Sequence, residues 1–240
     1  MATKNELKFV RSLQQKKYRN QNGMFVVEGA KMVNELLASD YEAVSVYTVD
    51  ASALNTTDLS VSLITERELG QMSGLTQPNT AIGVFRIPAS GKPNDTDWIL
   101  ALDDVRDPGN LGTIIRLCDW FGIRHLVCSE HTVDCYNPKV LQATMGSITR
   151  VTVGYCDLAS YLGDAHRPVY GTFMEGESVY GLSLEKPGIL VMGNEGKGIS
   201  AEIENIVSKK VSIPRYGDNG AESLNVAMAT AVFLHEIRKV

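Results

Sequence analysis

The chain has 240 residues with a formal net charge of −5, and 44% of its residues are hydrophobic and 21% charged. This composition is typical of a globular protein; it excludes a disordered chain and a polycation that binds nucleic acid through overall charge alone. No apolar run approaches the ~20 residues that a membrane-spanning helix needs, and the first residues lack the apolar stretch of a secretion signal. We therefore expect a cytoplasmic protein.

The first 87 residues alternate helical and strand-like patterns, which predicts a small α/β domain. In chain order these are a basic helix, a strand at 24–27, a helix at 30–38, a strand at 44–49, a helix near 66–72 and a strand at 82–87. Residues 88–97 follow; they are rich in Pro, Gly and small polar residues and have no periodicity, as is typical of a linker.

Positive charge is concentrated at the start of this acidic chain. Residues 1–20 hold six cations against one acid: Lys4, Lys8, Arg11, Lys16, Lys17 and Arg19 against Glu6. A basic helix with Lys16, Lys17 and Arg19 can lie along the phosphates of an RNA. The alternative is a solvated amphipathic helix, because Leu7, Val10 and Leu13 supply an apolar stripe. Charge alone favours neither.

Beyond the linker, apolar runs recur with helical patterns between them. The runs lie at 98–102, 125–128, 151–153, 169–173, 189–192 and 211–213. Fully apolar strands separated by helices indicate a mostly parallel sheet covered on both faces. We therefore predict a second α/β domain with a six-stranded sheet over residues 98–240.

The cysteines and histidines predict no metal site. The four cysteines are too few and too scattered for a disulfide framework, which suits a reducing compartment: Cys118, Cys128, Cys135 and Cys156. Cys128, His131 and Cys135 lack a fourth ligand and the paired spacing of zinc modules. A strand end and a loop are the simpler interpretation of this segment.

Three segments of the second domain place Gly beside polar or cationic side chains just after an apolar run. They are 107–112 with Arg116, 193–198, and Ile213-Pro214 leading to 222–225. Ligands bind at the carboxyl ends of strands in such sheets, where helix N-termini and free backbone groups converge. The three segments therefore predict one composite pocket.

The common nucleotide and hydrolase motifs do not match this pocket. The first strand runs into 103–106 instead of a Gly-x-Gly-x-x-Gly turn, and 193–198 lacks the four-residue spacer and the Ser or Thr of a phosphate-binding loop. Nor is there a Gly-x-Ser-x-Gly elbow. The missing motifs argue against three classes of protein: a dinucleotide-dependent enzyme, a nucleotide-hydrolysing enzyme and a serine hydrolase.

Taken together, the three segments resemble the motifs of the SpoU/TrmH-type RNA 2'-O-ribose methyltransferases of the SPOUT class. Asn110-x-Gly112-x-x-x-Arg116 is similar to the first motif, 190–198 to the second, and Ile213-Pro214 with 222–227 to the third, in the same order and with similar separation. Segments 25–29 and 77–84 resemble the family's ribosomal-protein-like domain, which binds the substrate. The resemblance thus covers nearly the whole chain.

This resemblance implies a fold and a cofactor that periodicity alone does not give. Members of the family bury the C-terminal part of the chain in a deep trefoil knot, bind S-adenosylmethionine in the loops of the knot, and form homodimers with the active site at the subunit interface. On this basis the cofactor-binding residues are expected to be Thr172, Met192, Gly193, Gly198, Ile213 and Leu224. Glycine suits such loops because backbone without a Cβ can approach a ligand.

The resemblance also selects candidate catalytic residues: Arg116, Asn110, Glu195, Ser223 and Asn225. Transfer of a methyl group to a ribose hydroxyl requires stabilisation of a developing alkoxide, and Arg116 is the best candidate. The family assigns the corresponding Arg the role of general base, which is physically awkward for a group with a pKa above ~12. Stabilisation of the alkoxide, or binding of a neighbouring phosphate, suits a guanidinium that stays positively charged.

Each of the other candidates also has an ordinary structural role. Asn110 is expected to cap its helix, and Glu195 to orient Arg116 or Asn110 or simply to precede a helix near residue 200. Ser223 can cap the last helix, or it can bind the ribose or the cofactor carboxylate together with Asn225.

The sequence thus predicts an S-adenosylmethionine-dependent RNA 2'-O-ribose methyltransferase that acts on structured tRNA or rRNA and needs no metal. The alternative is a non-catalytic RNA-binding protein that retains the knotted fold. One departure from the family pattern is the loop 215–221, about two residues longer than usual, with Arg215 in place of an apolar residue. We expect this loop to affect target choice more than cofactor binding.

Overall fold

The computed structural model describes residues 1–56, 61–89, 96–182, 184–217 and 222–239. Its α-helices are α1 Lys4–Ser12, α2 Lys16–Asn22, α3 Ala30–Leu37, α4 Glu66–Met72, α5 Pro108–Trp120, α6 Pro138–Thr144, α7 Leu158–Gly163, α8 Ala201–Glu204 and α9 Val226–Arg238. Its strands are β1 Met24–Glu28, β2 Ala43–Thr48, β3 Val61–Leu63, β4 Ala81–Arg86, β5 Ile99–Leu102, β6 His125–Ser129, β7 Thr152–Cys156, β8 Val169–Ser178, β9 Ile189–Met192 and β10 Lys209–Ser212. No helix within these ranges is both long and apolar enough to cross a lipid bilayer.

The chain divides into two compact units. The first unit comprises Met1–Ala89 and Asp134–Thr149, and the second comprises Ser90–Val133 and Arg150–Val240. Segment 134–149, which we predicted within the domain 98–240, is thus grouped with the first unit. Most of the predicted linker 88–97 (residues 90–95) lies outside the described residues. The predicted domain functions stay predictions.

The first unit is built on a four-stranded sheet with the order β1-β4-β2-β3. Strands β2 and β3 are parallel, and the other two pairs are antiparallel. The predicted strands at 24–27, 44–49 and 82–87 and the helices at 30–38 and 66–72 all form, whereas β3 was not predicted. Val10 of α1 packs with Val26, Ile82 and other side chains in one apolar cluster.

The basic N-terminal region forms two helices rather than the predicted single one. The break between α1 and α2 is held by Arg19, whose Nη1 donates to the carbonyl oxygens of Leu13 and Gln14 at 3.0 and 2.9 Å. Its Nε and Nη2 donate to Asp134 at 3.1 and 2.5 Å. Arg19 is therefore only 2% exposed, and its guanidinium binds the chain itself.

This burial corrects the prediction that Arg19 contacts RNA. Four of the five N–H donors of this guanidinium are used within the chain, and a side chain that is 2% exposed is not accessible to a phosphate. Lys16 and Lys17, by contrast, are exposed, so their predicted role in RNA binding stays a prediction.

We expect Arg19→Ala to destabilise the protein by about 3–5 kcal/mol, because it leaves the carboxylate of Asp134 without its partner. Urea denaturation of the full chain measures the change. Arg67→Ala serves as a matched control, since Arg67 is exposed on α4 and surface substitutions usually change stability by about 0.5 kcal/mol or less. A loss of stability equal to that of the control would contradict a structural role for Arg19.

The second unit is built on a six-stranded sheet with the order β10-β8-β9-β5-β6-β7, in which every neighbouring pair is parallel. The central strands β5 and β9 are apolar and buried at every position. Because successive side chains point to opposite faces, burial of four in a row means that both faces are covered. This confirms the predicted α/β class and six-stranded sheet.

Strand β8 differs most from its predicted length. The apolar pattern predicts a strand at 169–173, but β8 continues to Ser178 through exposed and half-exposed residues. β8 pairs with β9 only from Val169 to Gly171. Its register against β10 then shifts, so that Lys210 faces Gly171 and Val211 faces Glu177. The extension is polar, and for this reason the apolar pattern missed it.

Candidate active site

The strand order brings two of the predicted segments together at the carboxyl edge of the second sheet. β5 and β9 are parallel neighbours, with Leu102 beside Met192. The chain continues in register beyond the strands, since Asp103 N donates to the carbonyl oxygen of Met192 at 2.9 Å. The segments that begin at Asp103 and Gly193 therefore start side by side.

The segment 193–198 is a closed turn. The backbone N–H and carbonyl groups of Asn194 and Gly198 form two mutual hydrogen bonds, each 2.9 Å long. The Asn194 Oδ1 accepts from the N–H groups of Gly196 and Lys197, both at 3.0 Å. Gly198 has φ +71°, a left-handed conformation that favours glycine. A Cβ at Gly193 would lie 2.3 Å from the carbonyl carbon of Gly198, so the turn closes only over glycine.

Two side chains fasten this turn to the segment after β5. The Asn194 Nδ2 donates to the carbonyl oxygen of Asp104 at 2.7 Å. The carboxylate of Asp103, 6% exposed, accepts from the N–H of Ser200 at 2.7 Å. The sequence had given these two side chains no role. The signal was present, because two Asp residues directly follow a fully apolar strand.

Helix α5 begins where the segment after β5 ends. Its N-cap is Asp107, whose Oδ1 accepts from the N–H of Asn110 at 2.8 Å, and Pro108 follows at the first helical position. The prediction that Asn110 caps this helix is therefore wrong. Because Asp107 fills that role, the side chain of Asn110 is free to make other contacts.

Glu195 joins the closed turn to the start of α5. Its carboxylate accepts from the Asn110 Nδ2 at 3.0 Å and from the N–H groups of Asp107 and Arg106 at 3.1 and 3.3 Å. Partial burial raises the pKa of Glu195, but the hydrogen bonds from Asn110 and from backbone N–H groups outweigh burial and hold the pKa below its usual value. Glu195 is therefore ionised at neutral pH, and it orients Asn110.

Asn225 connects the third motif to the first. Its Nδ2 donates to the Asn110 Oδ1 at 2.9 Å. Its own Oδ1 accepts from the N–H groups of Ala227 and Met228 at 3.0 and 3.3 Å and so caps α9. An amide whose oxygen accepts from backbone N–H groups must present its NH₂ to a partner, so these assignments agree with one another.

Glu195, Asn110 and Asn225 thus form one hydrogen-bonded series, which we call the three-motif chain. Each member comes from a different predicted motif. The series fixes the orientation of the two amides at the carboxyl edge of the sheet. The ionised carboxylate of Glu195 accepts a hydrogen bond at one end of it.

Two predicted catalytic residues lie outside the three-motif chain. Arg116 is exposed and has no hydrogen bond or ion pair with the described residues. It follows Asn110 by six residues, a rotation of roughly 240° about the helix axis at about 100° per residue, so it leaves α5 in another direction. Ser223 is exposed and makes no hydrogen bond within the described ranges, and the cap of α9 that it was predicted to supply comes from Asn225.

With one exception, the predicted cofactor-binding residues lie at the ends of two strands, in the closed turn, or just before α9. Met192 ends β9 and Gly193 follows it, Gly198 closes the turn, Ile213 follows β10, and Leu224, 54% exposed, adjoins the three-motif chain. Thr172 is the exception, because β8 does not end there. The Thr172 Oγ1 donates to the carbonyl oxygen of Val191 at 2.9 Å, so its hydroxyl holds the neighbouring strand.

The long loop between the third strand end and α9 is only partly described. Arg215 and Gly217 are exposed, and Tyr216 is 87% exposed. Residues 218–221 lie outside the described ranges, so the predicted effect of the loop on target choice stays a prediction.

Comparisons with known proteins agree with this geometry. Residues 97–235 match the SpoU rRNA Methylase family, and residues 4–83 match the MRM3-like substrate binding domain. The chain is 29% identical over 244 residues to the 23S rRNA (guanosine(2553)-2'-O)-methyltransferase RlmP of Bacillus subtilis, covering 99% of this chain and 97% of that one.

Solved structures are similar over the whole length. A TrmH-family protein from Porphyromonas gingivalis is 38% identical with a TM-score of 0.92, covering 100% of this chain and 99% of that one. The AdoMet-bound rRNA methyltransferase from Sinorhizobium meliloti is 28% identical with a TM-score of 0.87, covering 100% of this chain and 97% of that one. The chain therefore belongs to the SpoU rRNA Methylase family.

Proposed function

We propose that this protein transfers a methyl group from S-adenosylmethionine to a ribose 2'-hydroxyl of structured RNA, either tRNA or rRNA. The observation that carries the proposal is the three-motif chain, because Glu195, Asn110 and Asn225 come from distant parts of the sequence and meet at the carboxyl edge of one parallel sheet. This edge is where such sheets bind ligands. A non-catalytic RNA-binding protein has no need of this arrangement.

The residues present fit S-adenosylmethionine, which when bound supplies a methyl group on a positively charged sulfur. A Cβ built at Gly198 meets no heavy atom within 4 Å, so the closed turn leaves open space against its backbone. Leu224 offers exposed apolar surface at the same edge, suited to a flat heterocycle. We propose that Met192, Gly193, Gly198, Ile213 and Leu224 hold the cofactor, and that Thr172 acts only by supporting the strand next to it.

In this proposal the chain's own side chains orient the substrate and stabilise charge. The 2'-hydroxyl oxygen loses its proton to solvent water and forms a bond to the methyl carbon as the bond between that carbon and sulfur breaks, and the guanidinium of Arg116 stabilises the negative charge that develops on the oxygen. The amides of Asn110 and Asn225, held by Glu195, position the ribose. Ser223, with a hydroxyl free within the described ranges, contributes a further hydrogen bond to the ribose or to the cofactor carboxylate.

We also propose a homodimer formed through the outer faces of α5 and α9. These two helices contact each other, and each exposes a large apolar side chain: Trp120 is 84% exposed and Met228 is 64% exposed. Contiguous exposed apolar patches mark interaction surfaces, and we propose that these two side chains belong to one such patch. Arg116 points away from the three-motif chain of its own subunit and lies one turn before Trp120, which is the position from which it can reach the site of a second copy.

The dimer gives a direct prediction. Trp120→Glu is expected to convert a dimer into a monomer, because it places a charge in an apolar contact, and to remove methyl transfer with it. Light scattering of the full chain measures the mass. Leu63→Glu is the matched control, since Leu63 is 59% exposed in the first unit, and this variant should stay dimeric. A wild-type monomer would contradict the proposal.

The predictions for RNA selection, the knot and the cellular location are proposals as well. We propose that the N-terminal domain selects the RNA through Lys16 and Lys17, that the C-terminal part carries the family's trefoil knot, and that the protein works in the cytoplasm. Four cysteines without a disulfide agree with a reducing compartment.

The function is tested by two measurements. Calorimetry with S-adenosylmethionine and with its demethylated product should show binding in the micromolar range or tighter. Mapping of ribose methylation in cellular RNA with and without this protein should show one or a few positions that lose their methyl group. Binding of RNA without cofactor binding or methylation would favour the non-catalytic alternative.

A further inference from the structure

A cleft of about 1060 Å³ lies within the first unit, and none of its lining residues belongs to the three-motif chain. One wall is α1, with Lys4, Lys8 and Arg11, and Tyr18 of α2 lines the cleft beside it. Another wall is α6, with Lys139. The volume is at the upper end of the roughly 300–1,000 Å³ of small-molecule pockets, and the cleft is open to solvent, so it can admit a polymer.

The cations of this cleft are free to bind an anion. Lys4, Lys8 and Arg11 follow one another at helical spacing and so share one face of α1, while Val10 on the other face is fully buried. All three are exposed, as is Lys139 of α6. None of these four side chains has a hydrogen bond or ion pair with another described residue, so the cleft concentrates unpaired positive charge in a protein whose net charge is −5.

The acidic residue of the lining, Glu28, is occupied in holding the cleft in shape. Its carboxylate accepts from the Gln14 Nε2 at 3.0 Å and from the N–H of Gly74 at 2.7 Å, and also from the hydroxyl of Ser73. These bonds tie the segment after α1 and the segment after α4 to the end of β1. The carboxylate thus supports the wall, and the four cations dominate the open face.

The cleft also offers groups that suit bases. Tyr18 presents an aromatic ring, with the Nζ of Lys17 5.8 Å from its centroid. Gln71 and Gln142 line the cleft with amides that both donate and accept hydrogen bonds, and both residues are exposed. Stacking on an aromatic ring and amide contacts to base edges require bases that are not paired in a duplex.

We propose that this cleft binds an unpaired strand of the substrate RNA, with phosphates on Lys4, Lys8, Arg11 and Lys139 and a base stacked on Tyr18. The proposal rests on the proposed function, because it is that function which makes RNA the substrate. It also extends the RNA-binding surface beyond residues 1–87, since Lys139 and Gln142 come from the segment between the first and second motifs.

The test is binding of fluorescein-labelled RNA to the full chain over a series of salt concentrations, with a single strand of about 12 nucleotides and a duplex of the same length. The single strand should bind more tightly. Lys8→Gln with Arg11→Gln should lower the slope of log affinity against log salt by about 1.4, and Lys139→Gln by about 0.7, since each phosphate contact on a single strand contributes about 0.7. Lys31→Gln with Arg67→Gln, exposed cations of the same unit outside the cleft, should leave the slope unchanged.

Tyr18→Leu should weaken single-strand binding by about 5- to 150-fold and leave duplex binding unchanged, as expected for the loss of one stacked base. Should this variant fail to fold, the exposed Lys139→Gln variant decides the question alone. Equal slopes for the cleft and control variants, or a duplex that binds as tightly as the single strand, would overturn the proposal.

Calorimetry with S-adenosylmethionine separates this inference from the proposed function. The cleft variants should keep the wild-type cofactor affinity, because the proposed cofactor residues all lie in the second unit. Wild-type protein without cofactor affinity would end the proposed function, whereas cleft variants with wild-type RNA binding would end the cleft proposal and leave the function in place.

Discussion

Arg116→Ala is expected to reduce methyl transfer by at least about 10²–10³-fold, the usual effect of removing a group that stabilises a developing oxyanion. Affinity for S-adenosylmethionine should stay within a few fold, because Arg116 is proposed to act on the ribose oxygen and is not among the proposed cofactor-binding residues. The decrease in activity should appear in kcat. If Arg116 instead binds a neighbouring phosphate, the loss appears in KM for RNA, and the two roles are thereby separated.

Two further variants make this test specific. Arg116→Lys retains the charge but not the planar fork of donors, so it should recover part of the activity if charge is what matters. Arg124→Ala removes an exposed guanidinium next to the first residue of β6, at the opposite edge of the same sheet from the site, and should leave kcat unchanged. Loss of cofactor binding in Arg116→Ala, with the fold intact, would show that the residue supports the cofactor site instead.

The fold could be predicted wherever burial leaves a period in the sequence. β5 and β9 are buried on both faces, and their continuous apolar runs indicated this. The polar end of β8 left no such pattern, and its register shift depends on β10, which lies about 30 residues later in the chain. The break between α1 and α2 contains neither Pro nor Gly; it is held by Arg19 through contacts that include Asp134, 115 residues away.

The site was predictable as a place but not as a set of contacts. Parallel strand ends share an edge, so the meeting of the three motifs could be expected from the sheet alone. The pairing of Asn110 with Glu195 and Asn225, across 85 and 115 residues, could not be expected in this way, because it depends on the conformations of the loops that carry these side chains. The cap of α5 was predictable, since Pro108 at the first helical position indicates that the residue before it is the cap.

Gly193→Ala is expected to abolish cofactor binding and to destabilise the second unit by about 1–3 kcal/mol or more, as overpacked sites do. The added Cβ would lie 2.3 Å from both the Gly198 carbonyl carbon and the Ile199 nitrogen, and backbone atoms cannot move aside as a side-chain end can. The turn must therefore open. Its opening breaks the paired hydrogen bonds between Asn194 and Gly198 and displaces Glu195 from Asn110.

Two other glycines of the second unit supply matched controls for this prediction. A Cβ at Gly196, in the same turn, meets only the Asn194 Oδ1 at 3.8 Å, so Gly196→Ala should change the free energy of unfolding by about 0.5 kcal/mol or less. A Cβ at Gly154 in β7 meets nothing within 4 Å, so Gly154→Ala should preserve both stability and cofactor affinity. Thermal denaturation and calorimetry with S-adenosylmethionine measure the two properties. If Gly193→Ala bound the cofactor as Gly154→Ala does, the closed turn would not be part of the cofactor site, and the proposed function would lose the support that this turn gives it.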